Sequence, residues 1–400
     1  MPRDNGHSPY ALLLLPSPPS PALHQLKEQY TPALSLVLSK LSEDISKSKR
    51  KAVLDIALVV SKILSPRYQP RARVWSSLQR VLANFYTLIG AVTAAQDIEL
   101  DGPGGVDARV FFVDDDVSAQ ESPSLQGPLI NLRTLGSSKR QWDNIYVLET
   151  TEGQQLASAF STFTITKPFI TVPGGDSSAS RELIVKSDEE RSTRHHSAIV
   201  GGTFDHLHLG HKLLLTATAL TLDPANDETC GITDRRLFVG ITGDEMLVNK
   251  KFAEYLESWE ERWQNVAAFL RAVIDFNPPE NNRSDVQRME QPGPNGKRVL
   301  LKVAPDLSLR LVQIADPFGP TITEENLSAL IISAETRSGG KAVNDERIKK
   351  GWAPLEVFEV DVLQAGDAEG VADTSAQNFE SKMSSTEIRQ RRMKAAKGSL

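Results

Sequence analysis

From residue 198 onward, short apolar runs alternate with amphipathic stretches, and this rhythm narrows the fold more than any other feature of the chain. Ala198 to Val200, Arg236 to Thr242, Val299 to Val303, Ala329 to Ser333 and Leu355 to Val362 read as strands. His211 to Thr221, Ser258 to Phe276, Lys341 to Lys350 and Ser385 to Ala396 carry apolar residues at helical spacing. Alternation of this kind implies a parallel sheet covered by helices on both faces. Ligands of such sheets bind beyond the carboxyl ends of the strands, near a switch point. Asn277 to Lys297 and Gln364 to Lys382 read as flexible insertions.

The first 170 residues read as a smaller α/β domain. Ala11 to Leu15, ARVFFVDDD and WDNIYVLET are strand candidates. HQLKEQYTPALSLVLSKLSEDI, KAVLDIALVVSKIL and RVWSSLQRVLANFYTLIGAV show three- and four-residue apolar spacing and read as helices. No catalytic motif stands out in this half. Asp114, Asp115 and Asp116 fit a solvated acidic turn better than a cation site. Residues 171–197 are rich in Gly, Ser and charge and read as a linker, with His195 and His196 exposed at its end and without a role.

Composition limits the functions open to the chain. A net charge of −6 argues against nucleic-acid binding through bulk charge. A single cysteine, Cys230, rules out an internal disulfide and any Cys-rich zinc site, and fits a reducing, cytoplasmic setting. No apolar run approaches the roughly 18 residues of a membrane span.

The densest chemistry lies in GGTFDHLHLGH, residues 201–211. It holds three of the chain's 7 histidines. Gly201 and Gly202 follow a strand directly and let backbone approach a ligand. Gly210 stands just before a helix. A strand, a glycine turn and a helix N-terminus make an anion site. His208 and His211 are three apart and share a helix face, where two imidazoles can donate to a phosphate. The His206-x-His208 pair also suggests a hydrolase-type metal site, but no histidine follows His211 to complete one. A zinc site of His206, His208 and His211, and a plain helix start, remain open on the residues alone.

GGTFDHLHLGH resembles the H-x-G-H nucleotidyltransferases, and most closely the eukaryotic-type (fungal) phosphopantetheine adenylyltransferases. VGITGDEMLVNKKFAEYLES, DPFGPTITEENLSALIISAETRSGGKAVN and MSSTEIRQRR extend the resemblance over residues 197–395. It implies a Rossmann-like parallel-sheet nucleotidyltransferase domain over 198–400. It implies transfer of the adenylyl group of ATP to 4′-phosphopantetheine, giving dephospho-CoA and pyrophosphate in coenzyme A biosynthesis. Mg²⁺ would ride on the ATP phosphates, with no metal site of the protein's own.

By the same resemblance, His211, His208 and Lys250 are the catalytic residues. Gly202, Thr203, Phe204, Asp205, Gly210, Lys251, Glu335, Arg337, Ser384, Ser385, Thr386 and Arg389 hold the substrates. Asp205 orients the loop or a magnesium hydration shell. Ser384-Ser385-Thr386-Glu387 also makes a capping box that needs no ligand. A cytidylyltransferase acting on another phosphorylated acceptor is the alternative, and the Ser-Ser-Thr segment counts against it. No P-loop occurs, so no fused kinase is expected. The N-terminal half is left as a candidate surface for assembly with other coenzyme A enzymes.

Overall fold

The computed structural model describes residues 7–46, 50–100, 102, 104–116, 126–164, 168–175, 183–225, 234–278, 285–293, 295–361, 363 and 384–398. Cys230 and Met383 lie outside the described residues, as do residues 364–382 of the second expected insertion.

The first half builds a six-stranded sheet in the order β4-β3-β2-β1-β5-β6. Its strands are β1 (Tyr10–Leu15), β2 (Ala52–Val59), β3 (Val106–Asp114), β4 (Leu129–Asn131), β5 (Asn144–Leu148) and β6 (Phe169–Val172). Every pairing is parallel. Helices α1 (Leu23–Ile45), α2 (Ala72–Ala95), α3 (Leu132–Ser137) and α4 (Thr151–Ser161) connect the strands.

Strand β2 overturns the helical reading of KAVLDIALVVSKIL. It lies between β1 and β3 and is buried on both faces. A strand covered on both faces shows an unbroken apolar run, which also matches helical spacing. Asp114 is likewise no solvated turn residue. It is buried, and its carboxylate accepts the backbone N–H groups of Lys62 at 2.9 Å and Leu64 at 2.8 Å.

The second half builds a seven-stranded sheet in the order β13-β12-β7-β8-β11-β10-β9. Its strands are β7 (Ser197–Gly202), β8 (Arg235–Thr242), β9 (Val286–Glu290), β10 (Lys297–Ala304), β11 (Leu307–Ile314), β12 (Ala329–Ser333) and β13 (Glu356–Val360). The five strands from β13 to β11 run parallel, and β10 and β9 add an antiparallel edge. Strand β9 falls inside the expected insertion at 277–297. All its residues are exposed, so no buried face marks it in the sequence. Helices α5 (Leu209–Leu220), α6 (Trp259–Ile274), α7 (Arg337–Lys349) and α8 (Ser385–Gly398) complete this half. No helix of the described residues is long and apolar enough to cross a membrane.

The chain leaves β7 on one side, through α5 to β8, and later returns on the other side at β12. The switch point therefore lies where β7 and β12 end, at Gly202 and Ser333. The two halves share one hydrophobic core. Helix α2 packs on α5, with Trp75 Nε1 donating to the Ala217 carbonyl at 2.8 Å and Arg71 to that of Leu222 at 2.8 Å.

The stretch read as a linker is tied down where it is described. The Asp188 N–H donates to the Arg73 carbonyl at 2.8 Å. His195 is not exposed but fully buried. Its ring nitrogens lie 3.0 Å from Ser328 Oγ and 2.9 Å from Glu356 Oε2, and its edge meets Phe358. These partners come from distant strands, so local polarity concealed the burial.

Candidate active site

The site forms at the end of β7. A Cβ on Gly202 would sit 3.0 Å from the Phe204 ring, so a larger residue there would press on that ring. Phe204 and His206 both adopt left-handed backbone, with φ of 54° and 47°. Such conformations persist where the surroundings over-determine them, and they cluster at functional sites. Phe204 is fully buried, with its ring 5.3 Å from that of His211.

Helix α5 starts with His208 at its N-cap, and no side chain caps it. Its first N–H groups therefore remain donors for an anion. The rings of His208, at the extended N-cap, and His211, in the first turn, stack at 3.8 Å and 22°. Burial, then the nearby His211, His206 and Lys212, hold His208 well below the usual histidine range. Burial pushes His211 down to about 4, against the pull of a hydrogen bond to the His206 backbone and the charge of Glu257. Both shifts favour the neutral imidazole, which has one N–H, so each ring can donate a single hydrogen bond, and that of His211 reaches an anion only by leaving the His206 backbone.

His206 supports the loop from beneath. It is 2% exposed, its Nε2 donates to the Tyr255 carbonyl at 2.9 Å, and its backbone N–H donates to Glu257 at 3.0 Å. The three histidines do not converge on a zinc site. Among the described residues, the group of three with ligand atoms close enough for a metal is Asp205, His206 and Glu257. These already hold one another. Asp205 accepts the Glu257 N–H at 2.9 Å on one oxygen and the Arg389 guanidinium on the other.

Asp205 also joins the loop to the last helix, since Ser385 Oγ donates to its carbonyl at 2.7 Å. Arg389 reaches the Lys251 carbonyl at 3.0 Å and Thr386 Oγ1 at 3.1 Å. Thus Asp205, Lys251, Ser385, Thr386 and Arg389, dispersed in sequence, meet in one place. Ser384 is half-buried, and its carbonyl accepts the first helical N–H of α8, from Ile388. Lys250 and Lys251 stand exposed on the turn that Arg389 anchors. Thr203 and Gly210 are half-buried at the loop. Glu335 and Arg337 lie past the end of β12, as expected, and are exposed. The Arg337 guanidinium pairs with Glu359 on β13 and touches none of the loop.

Two residues that sequence reasoning missed organise this arrangement. Arg262 is fully buried and donates to the carbonyls of Glu257 at 2.9 Å and Thr203 at 2.7 Å and to Asp244 at 2.6 Å. Glu257 braces His206 through the 3.0 Å bond already described. Both sit in ESWEERW, which reads as a charged helix start and gives no signal of burial.

Residues 199–391 match the cytidylyltransferase-like family model, and residues 1–178 match a domain of unknown function. An uncharacterized protein of Schizosaccharomyces pombe is 31% identical over 266 residues, 66% of this chain and 69% of that protein. The phosphopantetheine adenylyltransferase of Saccharomyces cerevisiae is 35% identical over 198 residues, half of this chain and 49% of that enzyme, so the chain spans about half its length. That of Pyrobaculum aerophilum is 28% identical over 180 residues, 44% of this chain and 87% of the archaeal enzyme. Residues 199–391 belong to the cytidylyltransferase-like nucleotidyltransferases. That region is of the phosphopantetheine adenylyltransferase type, with an N-terminal extension ahead of it.

Proposed function

We propose that the protein transfers the adenylyl group of ATP to 4′-phosphopantetheine in coenzyme A biosynthesis, forming dephospho-CoA and pyrophosphate. The observation that carries this reading is the neutral, stacked His208–His211 pair over an uncapped helix start. A phosphate oxygen of the acceptor attacks the α-phosphorus of ATP, and the bond from that phosphorus to the β-phosphate oxygen breaks. An acceptor phosphate dianion is already nucleophilic, so no general base is needed. Catalysis is then positioning and charge stabilisation.

In this reading His211 and His208 donate to the oxygens of the transferring phosphoryl group, and the N–H groups at the start of α5, Gly210 among them, add to the field. Lys250, with Lys251 beside it, supplies a mobile positive charge to the phosphates, and Thr203 faces the incoming phosphate. Arg337 engages the triphosphate by exchanging Glu359 for it. Arg389, Ser385 and Asp205 fix the loop rather than grip substrate, because their polar atoms are already engaged. With Asp205 committed to Arg389, Mg²⁺ is best carried by the ATP phosphates. The single cysteine supports a reducing, cytoplasmic setting.

Pyrophosphate release from ATP and 4′-phosphopantetheine tests the proposal. Turnover with CTP and none with ATP would sink it and favour the cytidylyltransferase alternative.

A further inference from the structure

Lys212 follows His211, and its backbone N–H donates to the His208 carbonyl at 3.0 Å. Its side chain points into the other half of the protein. The ammonium is nearly buried and lies 2.7 Å from Asp107 Oδ1 and 3.3 Å from the Ala108 carbonyl oxygen, both on β3. The second oxygen of Asp107 accepts from Arg109 at 3.0 and 2.7 Å. A cavity of about 190 Å³ beside this pair is lined by residues of both halves, among them Lys51, Arg109, His206 and Glu257. A buried ammonium is costly without a partner. Here the partner comes from outside the transferase domain.

We propose that Asp107 is a positioning residue for the transfer reaction, holding the first turn of α5, with His208 and His211, through its ion pair with Lys212. The inference rests on the adenylyl-transfer reading. Without Asp107, the Lys212 ammonium is drawn to the substrate phosphates, and the turn that carries both histidines moves with it. The proximity is electrostatic as well as geometric, since Lys212 adds, after burial and the two other histidines, to the lowering of His208. The N-terminal half is thereby part of the catalytic apparatus rather than an appendage.

The test uses the full chain, assayed for dephospho-CoA formation where circular dichroism shows it folded. Asp107→Asn is expected to lower kcat about tenfold or more with KM for ATP within about threefold, because small misplacements of catalytic groups are expensive. The His208 and His211 imidazole NMR signals are expected to shift. Adding Lys212→Met to Asp107→Asn removes the stranded ammonium and leaves Arg109 to the amide oxygen, and is expected to restore both kcat and the signals towards wild type. If Asp107→Asn does not fold, Asp107→Glu, which keeps the charge one methylene away, is expected to lower kcat and shift the same signals. A purely structural role would lower the melting temperature and leave kcat of the folded chain alone. A folded Asp107 variant with wild-type kcat and unmoved signals overturns the proposal, as does failure of Lys212→Met to restore them. A wild-type chain without turnover refutes the assigned reaction instead, and the imidazole signals then decide the role of Asp107.

Discussion

Arg389 on the last helix and Asp205 in the loop after β7 form a buried ion pair, 184 residues apart in sequence. The pair closes the site, because the same guanidinium also holds the Lys251 carbonyl and Thr386. Removing Arg389 leaves the buried Asp205 carboxylate without a counter-charge, held by the Glu257 N–H. Arg389→Ala should therefore cost about 3–5 kcal/mol of stability, read from denaturant unfolding. Arg389→Lys should recover little of it, since an ammonium cannot reproduce the planar fork that meets three acceptors. Full recovery by lysine would show the pair to be a matter of charge alone.

His211→Ala should fold with the stability of the parent or close to it, yet lose dephospho-CoA formation by at least about 100-fold, the usual effect of removing a donor to a transition-state oxygen. Near-wild-type kcat would remove His211 from the chemistry and with it the central role of the stacked pair.

The burial of these rings has a consequence for pH. His211 takes up its proton at about 4 in the folded chain and at about 6.5 when unfolded. Between these values the unfolded state binds more protons, so the native state loses stability as pH falls from about 6.5 to about 4. Above that window the contribution is complete. His208 is shifted in the same direction. NMR titration should find the His211 imidazole uncharged between pH 8 and about 5 and that of His208 displaced in the same direction, and His211→Ala should flatten the fall in unfolding free energy below about pH 6.5. A ring that titrates near 6.5 would contradict the assignment of neutral donors.

How much of this was legible beforehand follows from the range of each interaction. His208 and His211 could be paired from spacing alone, because three residues on one helix face is a local relation. The tight fit of the Phe204 ring over Gly202 is local as well, though in the sequence glycine there reads only as room for a ligand. The β2 strand was not, since an apolar run buried on both faces has no period of its own. Asp107 and Lys212 lie 105 residues apart, and Arg262 reaches Thr203 across 59. Neither contact leaves any trace in local pattern, and both charges read as solvent-facing until the fold buries them.

Arg262 tests this long-range design. Its three partners lie on the loop, the segment before α6 and the turn after β8, so it sets their spacing. Arg262→Met should preserve packing volume but strand the Thr203 and Glu257 carbonyls. Each unsatisfied buried group costs on the order of 1–3 kcal/mol, so the melting temperature should fall by several degrees. The activity of the folded fraction should fall as well, because Thr203 and the Glu257 backbone lose their common brace. An unchanged melting temperature would mean that water replaces the guanidinium at no cost.

Arg337 gives the opposite expectation. Its guanidinium is exposed and its partner Glu359 lies on the surface edge of the sheet, so the pair adds little to the fold. Arg337→Ala should leave the melting temperature unchanged. If the residue exchanges Glu359 for the triphosphate, the same variant should raise KM for ATP by roughly tenfold while changing kcat much less, the signature of lost ground-state binding. Glu359→Gln should act the other way, freeing the guanidinium and lowering KM for ATP. Steady-state kinetics on the two variants settle the matter, and equal KM values in both would leave Arg337 a surface residue with no part in binding.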